Sequence, residues 1–365
     1  MGQLLVGILL NAAMHRGVPR LDTGQESLAN YEEAAAAYGL VPCFLQLSEM
    51  DMESGFSYAY MRSAEKYRKV VVPTPAVIHN RAIYGPEHRG VERLVGSGLR
   101  VFNRCNRYGK DQIHRLLTQN EELRRFLPET RTGYAGLLEM MESCPDLILK
   151  PCRGSVGKGI MRLQRASGGR RFRWSFKEAR SGRWRMAEID AARPPRILRQ
   201  RLAVVPYLVQ ERIPLAEVDG RPFDLRVTVQ RGWGGEWQVT GMFAKAAPRG
   251  SFVSNIGSGG EALGASEALE RAFGGAEAAR LRMAAQALCL QVAKELEKSL
   301  PGLADIGLDI GVTGDRQLYF IECNGRDQRY GFRKAGMEET WKDSYRRPMA
   351  YARYLLDHAP KSQLY

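Results

Sequence analysis

Apolar runs of strand length alternate with helical patterns along the N-terminal part of the chain. Leu4–Leu10 and Val41–Leu47 are apolar runs, and the Ala- and Glu-rich stretch Glu26–Tyr38 between them has helical spacing. Val70–Val72 is a further short apolar run that ends at a proline-bounded turn. Strands that alternate with helices are typical of βαβ units and a parallel sheet. The pattern predicts an N-terminal α/β domain.

The rest of the chain combines short strands with longer helical patterns. Lys110–Leu127 and the Ala-rich stretch Ala276–Ser299 are predicted to be helices, and Tyr345–Asp357 a third. Leu147–Leu149 and Leu303–Ile321 are predicted to contribute strands, the latter in an antiparallel arrangement with glycine-rich turns. The overall class is therefore α/β (α+β). The expected domains are 1–105, 106–210 and 211–365.

The composition excludes several classes of protein. Hydrophobic residues make up 44% of the chain and charged residues 26%, which excludes a largely disordered protein. No apolar run approaches the ~20 residues that cross a bilayer, and Leu4–Leu10 lacks a preceding basic residue, so we expect a buried strand there rather than a signal peptide. The six cysteines form no CxxC pair. We therefore expect reduced thiols in a cytoplasmic protein without membrane association.

The positive charge is concentrated in one segment. The chain has 54 Lys and Arg against 40 acids, and most of the excess falls within Arg153–Arg201. Aromatic and apolar side chains alternate with polar ones on either side of a Ser181-Gly182 turn, which predicts a hairpin with one apolar and one cationic face. These side chains are Phe172, Trp174, Phe176, Trp184 and Met186. A solvated hairpin is the first interpretation, and a surface for an anionic substrate or for nucleic acid are the alternatives.

A glycine-rich loop follows a strand that ends on a lysine. The strand ends at Lys150, and the loop that follows contains the residues Gly154, Ser155, Gly157, Lys158 and Gly159. Glycines let backbone N–H groups approach a polyphosphate, and a lysine fixed on a strand supplies a cation. The spacing fits neither a Walker A loop nor a dinucleotide fingerprint. The alternative is a plain hairpin turn.

Two later strands each carry an acidic residue where an apolar one would be expected. These acids are Asp309 and Glu322, and the two-residue period of a strand places Glu322 and Asn324 on one face. Should the strands pair as a hairpin, Asp309 would approach the same face. Two carboxylates and an amide oxygen are ligands suited to Mg²⁺. The alternative is a pair of structural ion pairs with Arg or Lys.

Further polar groups lie between these two segments. Residues 209–213 end a strand in backbone that we expect to be exposed and able to present N–H and C=O groups to a purine edge. Asp224 and Arg226 share one face of the next strand, and Lys245 and Asn255 follow later. Each of these groups is ordinary on its own.

Taken in order, these segments resemble the ATP-grasp superfamily of carboxylate–amine ligases from about Asn103 to Arg326. The resemblance implies an ATP-grasp fold preceded by a pre-ATP-grasp-like domain. It implies that Arg226 and Lys245 act near the acyl-phosphate and that Asp309, Glu322 and Asn324 hold the metal. It also implies a set of nucleotide-contacting residues: Lys110, Lys150, Gly154, Ser155, Gly157, Lys158, Gly159, Gln210, Glu211, Arg212, Asp224 and Asn255.

Within that superfamily the chain is similar to the YheC/YheD group of endospore coat-associated proteins. Four N-terminal segments and one C-terminal pair carry this likeness: Val6-Gly7-Ile8-Leu9, Arg16-Gly17-Val18-Pro19-Arg20, Val77-Ile78-His79-Asn80-Arg81, Val101-Phe102-Asn103-Arg104 and Phe332-Arg333. Lys245 stands where many of the better-known ligases carry arginine, and Cys323 stands between metal ligands.

The likeness implies an ADP-forming ligase that joins a carboxylate to an amine through an acyl-phosphate, with ATP and Mg²⁺ (or Mn²⁺) as cofactors. Its expected partners are a small-molecule or peptide substrate with a carboxylate, including an acidic one, and an amine acceptor. Nucleic acid and membranes are not expected partners, and a homo-oligomer is compatible with the sequence. The expected setting is the mother-cell cytoplasm or the spore coat. The alternative is a nucleotide-binding but non-catalytic structural component of the coat.

Overall fold

A computed structural model describes residues 4–85, 88–154, 157–167, 169–178 and 182–358, and in these residues the strands form three sheets. The first sheet has the order β4-β3-β2-β1-β5-β6, with β2, β1, β5 and β6 parallel and the β3–β4 hairpin antiparallel. Its strands are β1 (Leu4–Leu9), β2 (Leu40–Asp51), β3 (Phe56–Ser63), β4 (Lys66–Pro73), β5 (Val77–Asn80) and β6 (Arg100–Phe102), and its helices are α1 (Ala12–Gly17), α2 (Leu28–Ala36) and α3 (Arg89–Gly96). The parallel part agrees with the alternation in the sequence.

The second sheet is antiparallel and has the order β11-β10-β9-β8-β12-β7. Its strands are β7 (Thr130–Thr132), β8 (Asp146–Pro151), β9 (Met161–Arg165), β10 (Arg171–Lys177), β11 (Trp184–Asp190) and β12 (Tyr207–Glu211), and its helices are α4 (Lys110–Thr118), α5 (Glu121–Arg124), α6 (Gly133–Ser143) and α7 (Arg196–Val204). The single helix predicted over Lys110–Leu127 is wrong. The chain turns at Asn120, whose side chain accepts a hydrogen bond from Leu123 N and so begins a separate helix.

The third sheet has the order β16-β15-β14-β17-β18, with β13 paired to β14. Its strands are β13 (Glu217–Val218), β14 (Arg221–Arg231), β15 (Trp237–Ala246), β16 (Glu261–Gly264), β17 (Asp305–Val312) and β18 (Leu318–Asn324), and the helices of this part are α8 (Ala265–Phe273), α9 (Gly275–Glu297), α10 (Tyr330–Lys334) and α11 (Glu338–Asp357). Buried leucines of α9 such as Leu281 and Leu288 share one core with Leu225 and Leu308 of the sheet. Helix α9 therefore covers one face of the third sheet, and polar side chains lie on the other face.

The basic hairpin is present, but its predicted apolar face is only partly correct. Phe172 and Trp174 are buried, whereas Met186 is 67% exposed. The register pairs Lys177 with Trp184 and Ser175 with Met186. Because directly opposed residues share a face, Trp184 and Met186 lie on the face opposite Trp174. Ser181 of the predicted turn lies outside the described residues.

Helix α11 packs against the first sheet rather than the third alone. Its buried residues Tyr345, Met349 and Ala352 share a core with Val6 and Ile8 of β1. The first and last parts of the chain therefore complete one hydrophobic core. The domain boundaries at 105 and 210 remain a prediction.

A buried network of charges joins the first sheet to the third. Asp305, at the start of β17, is 0% exposed. Its Oδ2 accepts from Arg81 Nη1 at 3.1 Å and from Arg329 Nη2 at 2.5 Å, and its Oδ1 accepts from Gln230 Nε2 at 2.9 Å. Arg81 also donates to Glu26 Oε1 at 2.8 Å. Arg81 comes from the end of β5, so this carboxylate ties two sheets together.

No helix within the described ranges has both the length and the apolar character needed to span a bilayer.

Candidate active site

A cavity of about 330 Å³ lies between the second and third sheets, a volume within the range of small-molecule sites. All but two of the predicted site residues line it. They are Lys110, Lys150, Gly154, Gly157, Lys158, Gln210, Glu211, Arg212, Asp224, Arg226, Lys245, Asn255, Asp309, Glu322 and Asn324. Segments up to about 200 residues apart in the sequence therefore converge on one space.

The two remaining residues differ. Ser155 lies outside the described residues. Gly159 does not line the cavity. Its φ is +77°, and a Cβ there would lie 2.8 Å from Pro151 Cγ, while its carbonyl accepts from Tyr207 Oη at 3.1 Å. Gly159 therefore occupies a position at the end of the loop that only glycine fits, and its expected contact with a nucleotide remains a prediction.

Strand pairing assembles the charged residues on one face of the third sheet. Asp309 of β17 is opposite Glu322 of β18 and opposite Arg226 of β14. Asp224 of β14 is opposite Lys245 of β15. Because opposed residues share a face, these strands present their acids and bases to the same side, which is the side of the cavity.

The acids are paired with bases. Arg226 Nε donates to Asp309 Oδ1 at 2.6 Å, and Lys245 Nζ lies 3.0 Å from both Asp309 Oδ2 and Asp224 Oδ1. Burial alone would raise the pKa of Asp309, but Arg226 and Lys245 outweigh it and hold that pKa well below its usual range. Lys110 Nζ lies 3.0 Å from Glu322 Oε1. The ion pairs considered as an alternative for Asp309 and Glu322 are therefore present.

Basic residues outnumber acidic residues among those that line the cavity. Lys110 Nζ also donates to the carbonyl of Gly154 at 3.3 Å, which places it between Glu322 and the glycine loop. Burial lowers the pKa of Lys150 to about 8, with partial opposition from Glu322 and a further lowering by Lys110. Within the described part of the chain, Lys150 has no carboxylate at ion-pair distance. Because Lys150 is desolvated and has no carboxylate partner, an anion that binds beside it would stabilise its charged form.

The oxygen donors fit a Mg²⁺ ion that is shared with phosphates. Asp309, Glu322 and Asn324 supply two carboxylates and an amide, and the buried Nδ2 atom of Asn324 has no hydrogen-bond partner. No group of three or more His, Cys, Asp or Glu side chains that could hold a metal occurs within the described ranges. Mg²⁺ commonly takes one or two carboxylates together with substrate phosphates and water. The cations that now pair with these acids are also the groups that would bind those phosphates.

Apolar side chains wall the other end of the cavity. Pro128, Ile148, Ile213 and Ile321 line it there, beside the end of β12. The sequence predicted exposed backbone N–H groups at the end of β12, and for two of these groups the prediction is wrong. Glu211 N donates to Glu129 O and Arg212 N donates to Asp146 O, each at 2.9 Å, so these two N–H groups are already used. A flat apolar ring would fit this end by contact with its walls.

Two cavity residues, Phe252 and Ser254, have no site role assigned from the sequence, although Ser254 belongs to the polar turn that contains Asn255. Ser254 donates its hydroxyl to Asp224 Oδ2, and Phe252 packs against Trp184 with ring centroids 4.8 Å apart. Asp327 does not line the cavity, but it is 1% exposed and accepts from Arg226 Nη1 at 3.0 Å, so it helps to position that arginine. Two features of the sequence could have drawn attention to these residues. Ser254 is next to Asn255, and Asp327 is three residues after Asn324. Neither signal distinguishes a site residue from an ordinary loop residue.

Three sheets with a charged cavity between the second and third define an ATP-grasp fold. A family model described as "YheC/D like ATP-grasp" matches residues 98–355. The chain belongs to the YheC/D-like ATP-grasp family.

Individual relatives agree with this assignment. The endospore coat-associated protein YheD of Bacillus subtilis (strain 168) is 24% identical over 91% of this chain and 74% of its own length. Among solved structures, the D-cycloserine synthetase DcsG has a TM-score of 0.55 at 12% identity, with 96% of this chain and 99% of that chain covered. The ADP complex of the N5-carboxyaminoimidazole ribonucleotide synthetase purK has a TM-score of 0.51 at 14% identity, with 90% and 71% covered. At these identities the two structures show the fold alone.

Proposed function

We propose that this protein is an ATP- and Mg²⁺-dependent ligase that joins a carboxylate to an amine through an acyl-phosphate. The observation that carries the proposal is the convergence of Lys110, Lys150, Arg226 and Lys245 on the side of the cavity that also holds Asp309 and Glu322. A purely structural role does not require a desolvated lysine without a carboxylate partner, such as Lys150. It also does not require two carboxylates beside an amide oxygen, as in Asp309, Glu322 and Asn324. Members of the same fold named as synthetases support the proposal.

The residues of this chain divide the work by their positions. Lys110, Lys150 and Lys158 would bind the phosphates beneath the glycine loop, and Asp309, Glu322 and Asn324 would hold Mg²⁺. Bound Mg²⁺ neutralises charge on the phosphate oxygens. Arg226 and Lys245 would face the phosphoryl group as it leaves ADP for an oxygen of the substrate carboxylate. The amine then attacks the acyl carbon, phosphate leaves, and the amine loses a proton. No protein nucleophile is required.

The biological setting is proposed from the relative YheD, whose name places it with the endospore coat. We propose that this protein acts in sporulating cells, on an amino-acid or peptide substrate. An acidic substrate would be attracted by the cationic face of the β10–β11 hairpin, where Arg173 and Lys177 share a face with Trp184, which packs against Phe252 of the cavity.

Two measurements on the purified protein test the ligase proposal. Calorimetry is expected to show ATP binding that Mg²⁺ tightens. Incubation of the protein and MgATP with pools of amino acids, peptides and polyglutamate is expected to release ADP with at least one pool. Binding without ADP release from any pool would favour the non-catalytic coat component, and no ATP binding would contradict both.

Binding of ATP is expected to take up about one proton at pH 9, because phosphates would raise the pKa of Lys150 from about 8. The free protein holds this lysine largely neutral at pH 9, so affinity is expected to fall up to about tenfold per pH unit above pH 8. Calorimetry in two buffers of different ionisation enthalpy measures the uptake. Lys150→Arg remains charged throughout and is the control. Equal heats in both buffers for the unsubstituted protein would contradict the prediction.

A further inference from the structure

Among the described residues Arg326 has no acidic partner, whereas the nearby Arg81 and Arg329 are each paired with acids. Arg81 and Arg329 both bind Asp305, and Arg81 also binds Glu26. Arg326, by contrast, uses only Nη1, which donates to Asn11 Oδ1 at 3.2 Å and to Arg81 O at 3.3 Å and lies 3.8 Å from Met14 Sδ. Among the described residues, its Nε and Nη2 atoms have no hydrogen-bond partner and no carboxylate pairs with it.

Arg326 follows β18 of the third sheet, but its side chain contacts Asn11 and Arg81 beside the first sheet, at a place where an α/β fold binds ligands. The chain goes from β1 to β2 on one side of β1 and later returns from β4 to β5 on its other side, so the crevice outside the ends of β1 and β5 is a topological switch point. Asn11 follows β1, and Ile83 lies shortly beyond β5. These two residues bind each other through Asn11 Oδ1 and Nδ2. The side chain of Arg326 reaches this crevice, where its Nη1 donates a hydrogen bond to Asn11 Oδ1.

The backbone on both sides of Arg326 is fixed. Asn103 Nδ2 donates to Gly325 O at 2.9 Å, and Arg81 Nη2 donates to Asp327 O at 2.7 Å. A Cβ on Gly325 would lie 3.0 Å from the backbone of Asn106, so the chain there is closely packed. A guanidinium held by its backbone and by Nη1 loses little further entropy when it binds a ligand through its other two donors.

Arg326 is also close to the proposed reaction site. It follows the proposed metal ligand Asn324 by two residues, so the two Cα atoms are at most about 7 Å apart. Gln328, two residues after Arg326, lines the same cavity as Asn324, and Arg326 lies between them in the sequence without lining the cavity itself. A substrate that extends beyond the cavity toward Asn11 would reach both Arg326 and the proposed site of phosphoryl transfer.

We propose that Arg326 binds the α-carboxylate of an amino-acid substrate, as a carboxylate that does not itself react. This inference rests on the ligase function proposed above. The reacting carboxylate must reach the phosphate, so it cannot also occupy Arg326. The free Nε–H and Nη2–H groups form one edge of the guanidinium, and that edge matches the two oxygens of a carboxylate.

Protection of arginine from phenylglyoxal tests the binding directly. The full chain is labelled with the reagent, and modification of each arginine is followed by mass spectrometry, with a pool of the twenty amino acids or a pool of their amides. The amino acids are expected to slow modification of Arg326 at least fivefold relative to the amides. The exposed Arg107 is expected to react equally in both pools and is the internal control. Equal rates at Arg326 in both pools would overturn the inference, and equal protection by inorganic phosphate would make it a general anion site instead.

Substitution gives an independent measurement. Arg326→Met is expected to remove the difference between the two pools in binding and, with an active substrate, to raise KM for the amino acid at least tenfold. ATP affinity should stay within twofold, and Arg326→Lys, which retains the charge but not the paired donors, should recover part of the loss. An unchanged KM in Arg326→Met would contradict the subsite. Protection of Arg326 in a protein that binds no ATP would overturn the ligase and leave the subsite standing, whereas ATP binding without protection would overturn the subsite alone.

Discussion

Glu322→Gln is expected to lower ADP release by on the order of 10²–10³-fold, because a neutral amide is a poor partner for Mg²⁺. The protein should remain folded. Lys110 and Glu322 are both partly exposed, so their ion pair contributes at most about 1 kcal/mol.

The sign of the effect on ATP binding separates a metal ligand from a structural acid. Without Mg²⁺, removal of the negative charge of Glu322 should leave ATP binding equal or tighter, since one source of repulsion to the phosphates is gone. With Mg²⁺, the tightening seen in the unsubstituted protein should fall at least tenfold. Calorimetry with and without the ion measures both, and Glu267→Gln on the exposed surface of α8 is a matched control. A variant that keeps its full response to Mg²⁺ would remove Glu322 from the metal site.

Asp305→Asn is expected to lower the free energy of unfolding by about 3–5 kcal/mol, because it leaves Arg81 and Arg329 buried beside a neutral group. Urea denaturation followed by circular dichroism measures the loss. The matched control is Asp146→Asn. Asp146 pairs with Arg162 and Arg212 at a partly exposed position, so its loss should cost about 1 kcal/mol or less.

The same aspartate predicts a difference in acid stability. Burial would raise the pKa of Asp305, but Arg329, His79 and Arg81 outweigh it and hold that pKa far below its usual value of 3.8. A carboxyl group with a lowered folded-state pKa stabilises the protein above its unfolded pKa, and that contribution is lost as the pH falls below it. The unsubstituted protein should lose up to about 1.4 kcal/mol per pH unit below pH 3.8 through this group. Asp305→Asn should lack this component, and identical acid profiles would contradict the assignment.

The residues that line the cavity were easier to predict from the sequence than the packing of side chains against one another. The two-residue period of strands brought Glu322 and Asn324 to one face, and the order of motifs placed Asp309 and Arg226 in the same cavity. Which base pairs with which acid depends on strand register. The pairing of Asp309 with Arg226 is set by the β14–β17 register, and no local pattern encodes it. For the same reason the side on which Trp184 and Met186 lie was wrong in the prediction.

Contacts between distant segments were the least accessible. Arg81 and Asp305 are 224 residues apart, and nothing near either residue indicates the other. The short segment around Asn120 illustrates a local miss of a different kind. Its helical periodicity continues through the break, but the side chain of Asn120 stabilises a new helix start better than a continued helix.

The joint core of β1 and α11 affects how the chain can fold during synthesis. The side chains of Val6 and Ile8 leave the ribosome early, whereas Tyr345 and Met349, which cover them, are made after some 340 residues have been added. At roughly 5–20 residues per second, that interval lasts tens of seconds. During that time the apolar side chains of the first sheet that α11 later covers are exposed. The nascent chain can then bind chaperones or aggregate through them.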